Sequence, residues 1–445
     1  MNFKSKNCLV IGLGKSGLSA ALLLKELGAC VYVSDNSKID DLAANISILH
    51  NNGIDQIEAG KHTKSFLNHC EIVILSPGIP MNNVLITAAK DMNIPIISEI
   101  ELGYLKCKAP IIAITGTNGK TTTANLSANL LKNVGYNTFL CGNIGKPFCE
   151  IALKAEKNDY VVLEVSSFQL LTSNKLKPKV SMILNIDQDH LDYHTDFREY
   201  YMAKAKIYEN QDETDFCILR KEDYSDYYNN MKIRAQLTTV SQQVLADIYL
   251  RDQDIIKNGL EFAKYSEINI INIKAAENFL FLAALAKNLN ITDEILFKTI
   301  SDFKGLEHRI EKVGEYNGVL YIDDSKATNV SATRQALKTI SEPVILLAGG
   351  LDKKTDFKTL SLDFFENVKL IVLVGQARDK LQEALKGIRP LIVAESFRDA
   401  VVYAKSQAVS GDVVLLSPMC ASFDEFSSYK ERGETFKNIV KEINS

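Results

Sequence analysis

The sequence predicts an α/β protein of three domains: a Rossmann-like N-terminal domain, a central P-loop domain of the ATPase type, and a Rossmann-like C-terminal domain. Three observations predict it. Short apolar runs alternate with segments of helical periodicity along most of the chain, the pattern of parallel sheets covered by helices. A Gly-x-Gly-x-x-Gly turn, Gly12-Leu-Gly14-Lys-Ser-Gly17, follows the first apolar run. A second glycine turn, ending in Lys120-Thr121, follows the run Ile111–Ile114. At 445 residues the chain exceeds what one ordinary core can bury, so several domains are required.

Composition narrows the class. Apolar residues make up 46% and charged residues 24%, the balance of a globular enzyme. A net charge of −4 gives no electrostatic case for a nucleic-acid or membrane-surface partner. No apolar run approaches the ~18 residues of a membrane span. The start has lysines and then an apolar run, but Gly12 and Gly14 cut that run at once, so it reads as a strand rather than a signal peptide. The eight cysteines are scattered and include no Cys-x-x-Cys, so neither a zinc ribbon nor a disulfide framework is indicated. Reduced, mostly buried thiols and a cytoplasmic location are expected.

Taken in order, residues 1–98 form the first domain. The strand over 7–14 leads through the glycine turn into a helix over Leu18–Leu27, and Val31–Ser34 is a strand ending at Asp35. This is the dinucleotide fingerprint with its acidic residue, compatible with NAD, a flavin or any nucleotide diphosphate. The strand Glu71–Leu75 with Ser76-Pro-Gly, a helix over Asn83–Met92 and a strand over Ile94–Ile97 complete the unit, and 98–110 reads as a connector.

Residues 99–302 form the second domain. Gly116, Thr117, Asn118 and Gly119 turn between a strand and a helix, with Ala113 where the common P-loop pattern has its first glycine. Backbone N–H groups of such a turn and the helix start cradle an anion. Lys120 reaches outer phosphates, Thr121 suits Mg²⁺, and Thr122 follows in the first turn. The strand Tyr160–Val165 delivers Glu164 and Ser166 at its carboxyl end, where a metal-binding acid is expected beside a P-loop. The strand Val180–Asn185 delivers Asp187, Asp189, His190 and Asp192. Phe197–Asn210 is helical and carries Lys204, which by itself reads as a solvated lysine. From 222 to 272 the chain is polar with short strand-like pieces, and a strongly apolar helix over Ala275–Leu289 contains Asn278.

Residues 303–445 form the third domain. Asn317-Gly318 marks a hairpin turn, and strands over Val319–Ile322, Val344–Ala348, Leu370–Val374, Leu391–Ala394 and Val413–Ser417 alternate with helices. Their ends carry Asp324-Ser-Lys-Ala-Thr-Asn329, Gly349-Gly-Leu-Asp-Lys353 and Ser417-Pro-Met-Cys-Ala-Ser-Phe-Asp-Glu-Phe426.

Thr115 to Thr123, Glu164-Val-Ser-Ser167, Asp189-His190, His308-Arg309, Asp324 to Asn329 and the stretch from Ser417 to Gly433 resemble, in order and over nearly the whole chain, the Mur ligase family. Ser76-Pro-Gly, the Asp324 motif and the Ser417–Gly433 stretch are most similar to its D-glutamate-adding branch. The resemblance implies an ATP-dependent ligase that joins D-glutamate to UDP-N-acetylmuramoyl-L-alanine through an acyl phosphate in cytoplasmic peptidoglycan synthesis, acting as a monomer. It implies Mg²⁺, in two ions, with Mn²⁺ as an alternative. It assigns Lys120, Glu164, His190 and Lys204 to catalysis, with Thr121, Glu164, His190 and a carbamylated Lys204 as metal ligands. Asn278, Arg309 and Asp324 resemble nucleotide contacts. Lys15, Ser16, Asp35, Asn36, Ser76, Asn143 and Ser166 would hold the UDP substrate. Lys326, Thr328, Lys353, Ser422 and Phe423 would hold the amino acid. One departure is Glu277-Asn278, where relatives often carry His-Asn.

Three rivals compete. An NAD-dependent oxidoreductase explains the first glycine turn but leaves the P-loop and Asp324–Asn329 without a task. A nucleotide-gated binding protein needs the P-loop but not Glu164 and His190. A ligase for another amino acid, or a folylpolyglutamate synthase, shares the P-loop but not the Ser417–Gly433 stretch.

Overall fold

The computed structural model describes residues 1–187, 193–251, 254–257, 259–264, 276–352, 355, 357 and 360–445. They fall into two compact units, one made of residues 1–270 and 276–302 and one that takes in 303–445. The first unit carries a five-stranded and a nine-stranded sheet, the second a six-stranded sheet, so the α/β class holds throughout.

In the five-stranded sheet all strands are parallel, in the order Gln56–Ala59, Cys30–Asp35, Asn7–Ile11, Ile72–Leu75, Ile96–Ser98. The strand Asn7–Ile11 is central because it is buried on both faces. Cys8 and Val10 enter one apolar cluster with Val33 and Leu24, while Leu9 and Ile11 enter another with Leu85 and Ile86. A run with no polar alternation is what two covered faces require.

The connector expected over 98–110 contains a helix, Glu99–Tyr104. Ser98 caps it, its hydroxyl accepting the Glu101 N–H at 3.0 Å, and Ile100 and Leu102 are buried. Both of its glutamates, Glu99 and Glu101, are buried. Glu99 accepts the Cys149 N–H at 2.6 Å, and burial pushes its carboxyl up to about 7.

The nine-stranded sheet places Ile111–Thr115 between Val180–Ile183 and Tyr160–Glu164, with Thr138–Gly142 at the edge beyond. The other side runs through Phe216–Arg220 and Gln236–Ser241 to an antiparallel meander of Ile248–Arg251, Asp254–Lys257 and Leu260–Lys264. Among the described residues, the polar stretch from 222 therefore adds four strands to this sheet. The chain leaves the central strand toward one side and returns on the other, so a switch point opens at its carboxyl end.

In the second unit the hairpin Glu311–Tyr316 and Val319–Asp323 turns at Asn317-Gly318, both at positive φ (51° and 76°), and joins four parallel strands. The helix Tyr429–Asn444 packs on this sheet through Phe436, Ile439 and Val440. Its Gly433 permits close approach: a Cβ there would lie 2.2 Å from His308 Nδ1 and 2.6 Å from Asp323 Oδ2. All eight cysteines are free and five are buried. Among the described residues, no helix is long and apolar enough to cross a membrane.

Gly433→Ala must push a helix off a buried His–Asp pair, and overpacking of this kind costs about 1–3 kcal/mol. A lower urea midpoint for the second unit with an unchanged m-value is expected; an unaltered midpoint would show that the pair can yield.

Candidate active site

The glycine loop at the end of Ile111–Thr115 is held by the neighbouring strand end. Thr117 N–H donates to the Asn185 carbonyl at 2.9 Å. The Asn185 side chain clasps Asn118 on both sides, accepting its N–H at 2.7 Å and donating to its carbonyl at 3.2 Å. The Thr117 hydroxyl donates to the Asp187 carbonyl at 3.1 Å, accepts the Asp187 N–H at 2.9 Å and meets Tyr200 Oη at 2.9 Å. Gly119, at φ +81°, starts the helix Lys120–Val134; a Cβ on it would sit 2.7 Å from Asn278 Oδ1. Gly119 brings no capping side chain, so the start of this helix suits an anion. Lys120 Nζ donates to the carbonyls of Gly116 and Thr117, each at 2.8 Å. Thr121 and Thr122 are half-buried in the same turn. Asn278 Oδ1 accepts from the Thr123 hydroxyl at 3.2 Å, which fastens the helix Ala276–Asn288 to this turn.

Glu164 ends the adjacent parallel strand and is 2% exposed. Asn143 donates from Nδ2 to its Oε1 at 3.0 Å and from its N–H to the Glu164 carbonyl at 2.8 Å. Glu164 Oε2 is buried and, among the described residues, accepts no hydrogen bond. An orphaned buried carboxylate oxygen is costly unless a cation meets it, and oxygen donors suit Mg²⁺. The residues present thus fit a divalent metal. Ser166 instead engages Gln169, whose Oε1 accepts from its N–H at 2.9 Å and its hydroxyl at 2.8 Å.

Lys204 is not the solvated helix lysine that its sequence setting suggests. It is 2% exposed, donates to the Gly116 carbonyl at 2.9 Å and lies 4.5 Å from the Tyr200 ring centre. The helix Phe197–Ala205 thereby brings a cation against the back of the glycine loop. His190 and Lys353 lie outside the described residues.

The first glycine turn is closed by its own acid. Asp35 accepts the Leu13 N–H at 2.5 Å and the Ser37 N–H at 2.7 Å, while the Ser76 hydroxyl donates to the Gly12 carbonyl at 2.8 Å. Partial burial acts to raise the Asp35 carboxyl, but the two N–H groups outweigh it and hold the group below the usual carboxylate range. Lys15 and Asn36 are exposed and Ser16 half-buried around this turn.

In the second unit, Asp324 accepts the Ile310 N–H at 3.1 Å and the Ser417 hydroxyl at 2.9 Å. Arg309 sits between His308 and Ile310, both at positive φ (60° and 41°), a strained geometry for a β-branched residue. Lys326 Nζ lies 4.0 Å from the Tyr429 ring centre, Thr328 and Lys326 are half-buried, Ser422 is buried, and Phe423 is 65% exposed. Arg432 ties the loops together: it donates to Ser325 Oγ and the Ser325 carbonyl, each at 2.9 Å, and to the Ala421 and Cys420 carbonyls, each at 3.2 Å. Burial pulls its guanidinium down to about 10. Sequence reasoning places Asn185 at a polar strand end and Arg432 at the close of the Ser417–Gly433 stretch but gives neither a role, because no spacing signal marks a side chain that bonds to backbone far away in the chain.

The Asp35 geometry has a pH signature. A carboxyl lowered on folding stabilises above its unfolded pKa of about 3.9 and loses that contribution as pH falls through the folded value. Asp35→Asn should therefore lower the melting temperature at pH 7, and the gap to the parent should close toward pH 3. A gap that stays constant with pH would assign the loss to packing instead.

Three family models match in sequence order: Mur ligase MurD-like, N-terminal domain over residues 6–98, Mur ligase middle domain over 114–286, and Mur ligase, glutamate ligase domain over 308–420. The UDP-N-acetylmuramoylalanine--D-glutamate ligase of Bacillus mycoides (strain KBAB4) is 38% identical over 450 residues, covering 99% of this chain and 98% of that protein. The enzyme of the same name from Bacillus cereus (strain Q1) is 37% identical with the same coverage. Among solved structures, UDP-N-acetylmuramate-alanine ligase MurC from Thermotoga maritima superposes with a TM-score of 0.62 at 18% identity, over 98% of this chain and 99% of that one. A pseudomurein peptide ligase type C from Methanothermus fervidus gives 0.61 at 20% identity, over 99% and 100%. The MurF ligase of Thermotoga maritima in complex with ADP gives 0.59 at 15% identity, over 99% and 96%. These structural likenesses concern the fold, whereas the end-to-end sequence match carries descent: the chain belongs to the Mur ligase family.

Proposed function

We propose that the chain is an ATP-dependent ligase that adds D-glutamate to UDP-N-acetylmuramoyl-L-alanine in peptidoglycan precursor synthesis, working in the cytoplasm as a monomer. One observation carries the chemistry. A P-loop and a buried carboxylate with an unpaired oxygen stand at the carboxyl ends of adjacent parallel strands. The end-to-end match to relatives named for D-glutamate addition carries the substrates. The NAD reading loses ground because the end-to-end match is to relatives named as ligases.

In this reading residues 1–98 hold the UDP substrate, 99–302 the nucleotide and 303–445 the amino acid. The substrate carboxylate attacks the γ-phosphorus of ATP, the bond to the β-phosphate oxygen breaks, and ADP leaves an acyl phosphate. The amine of D-glutamate attacks the acyl carbon, loses a proton, and the tetrahedral intermediate expels phosphate. Such steps need charge neutralisation and positioning more than covalent help. Lys120 and the first-turn N–H groups at Gly119–Thr122 meet the phosphates. Asn143 orients Glu164 and stands near the substrate carboxylate, and Asn278, Arg309 and Asp324 contact the nucleotide.

Mg²⁺ would supply charge neutralisation in two positions, one held by Thr121 and Glu164, the other by His190 and Lys204; Mn²⁺ has compatible donor preferences. For Lys204 this requires the neutral amine to add CO₂ and release a proton, which turns a buried cation into an anion. Lys15, Ser16, Asp35, Asn36, Ser76 and Ser166 face the UDP substrate. Lys326, Thr328, Lys353, Ser422 and Phe423 receive D-glutamate, a dicarboxylate for which lysines and hydroxyls are apt donors.

Phosphate release from ATP, measured with UDP-N-acetylmuramoyl-L-alanine, Mg²⁺ and one amino acid at a time, should depend on D-glutamate. Release with a different amino acid would keep the mechanism and change the substrate; no release with any would leave only nucleotide binding. Lys204→Ala should lower turnover on the order of 10–100-fold, as loss of support at a metal site does. Acetate or formate should restore part of it. Full turnover in that variant would remove Lys204 from the reaction.

A further inference from the structure

Behind the nucleotide loop lies a chain of buried and half-buried polar and charged side chains that the reaction above does not use. It begins at Asn185, 6% exposed, whose amide clasps both backbone polar groups of Asn118. The clasp works in one amide orientation only, with Oδ1 toward the Asn118 N–H and Nδ2 toward its carbonyl. The second hydrogen of Nδ2 reaches Glu277 Oε2 at 3.2 Å. Glu277 opens the helix Ala276–Asn288, one residue before Asn278, and its side chain is 15% exposed. Its other oxygen lies 3.6 Å from Arg220 Nη1. Arg220 forms a bidentate pair with Asp223, at 2.9 Å from Nε and 2.6 Å from Nη2.

An ionised carboxylate only accepts hydrogen bonds, so it can face the amide nitrogen of Asn185 but not its oxygen. Glu277 therefore selects the amide orientation that the clasp needs. Burial, with the nearby charges of Asp223 and Glu222, pushes the Glu277 carboxyl up to about 7, and Arg220 and the Asn185 amide act against that rise in favour of the ionised form. The uncharged acid keeps a carbonyl oxygen that still accepts from Nδ2, so the acceptor rather than the charge is what the clasp needs.

We propose that Glu277 is a positioning residue for ATP: through Asn185 it locks the apex of the nucleotide loop, and Arg220 sustains the lock. Among the described residues Glu277 meets the loop through Asn185, and Asn118 is the last loop residue before the Gly119 start of the helix. Losing the lock lets the loop sample conformations whose N–H groups do not converge on phosphate. The inference rests on the nucleotide reading of this loop, but not on the identity of the amino acid that is joined.

The test is ATP and ADP affinity by calorimetry on the full chain, which needs no ligation. Glu277→Ala should weaken ATP about tenfold, the value of one hydrogen bond of about 1.4 kcal/mol. Glu277→Gln, which can still present an acceptor oxygen to Nδ2, should recover most of that loss at a melting temperature close to that of the alanine variant. In turnover assays, KM for ATP should rise and KM for the carboxylate substrate should stay. Hydrogen exchange of the peptide over 116–120 should quicken in Glu277→Ala, which gives a readout even if its yield is poor. Parent-like affinity and exchange in Glu277→Ala would overturn the proposal. So would alanine and glutamine variants that weaken ATP equally, because the lock requires an acceptor. Absence of ATP binding by the parent would instead sink the nucleotide reading itself.

Discussion

The nucleotide loop cannot hold its own shape. A glycine turn between a strand and a helix leaves several main-chain groups without partners inside the turn, and a buried unpaired backbone group is costly. Here the partners come from the next strand over: the Asn185 main chain meets Thr117, the Asn185 amide brackets Asn118, and the Asp187 main chain meets the Thr117 hydroxyl. The nine-stranded sheet is thus arranged so that the ends of Ile111–Thr115 and Val180–Ile183 lie side by side. Tyr200 and Lys204 then pack one helix against the same loop, and Asn278 fastens another.

The same physical solution recurs at the other two sheets. In the first, Asp35 and Ser76 satisfy main-chain groups of the turn after Asn7–Ile11, each from the end of a neighbouring parallel strand. In the third, Asp324 gathers the Ile310 N–H and the Ser417 hydroxyl, and Arg432 gathers three carbonyls from two separate loops. Parallel strands deliver their carboxyl ends to one edge, where irregular loops must follow. Side chains that bridge those loops convert a row of strand ends into surfaces of fixed shape. The strain at His308 and Ile310 persists because the His308–Asp323 pair and the Ile310–Asp324 bond surround it.

Charge is placed by the same logic. Lys204 and Arg432 are each 2% exposed, and both are turned toward carbonyl oxygens. Glu164 shows the opposite arrangement, with one oxygen satisfied by Asn143 and the other left without a hydrogen bond. Burial of unequal pairs such as these makes the surroundings of the loop sensitive to a single charge.

Periodicity and punctuation by themselves determined the α/β class, the central strands, the two glycine turns, the Asn317-Gly318 hairpin and the helices that follow each turn. These are local signals: covered parallel strands must be apolar throughout, and turns at positive φ select glycine or asparagine. Sequence alone mistook the segment Glu99–Tyr104 for a connector, because two glutamates look solvated until Cys149 and Lys175 supply N–H donors from elsewhere in the chain. It also took Lys204 for a surface lysine, and gave no reason to link Asn185, Glu277 and Arg220. Their contacts span 57 positions, from Arg220 to Glu277, and 92, from Asn185 to Glu277. No periodic pattern encodes such a distance. Only the packing of strand ends decided which polar side chains would have to satisfy one another.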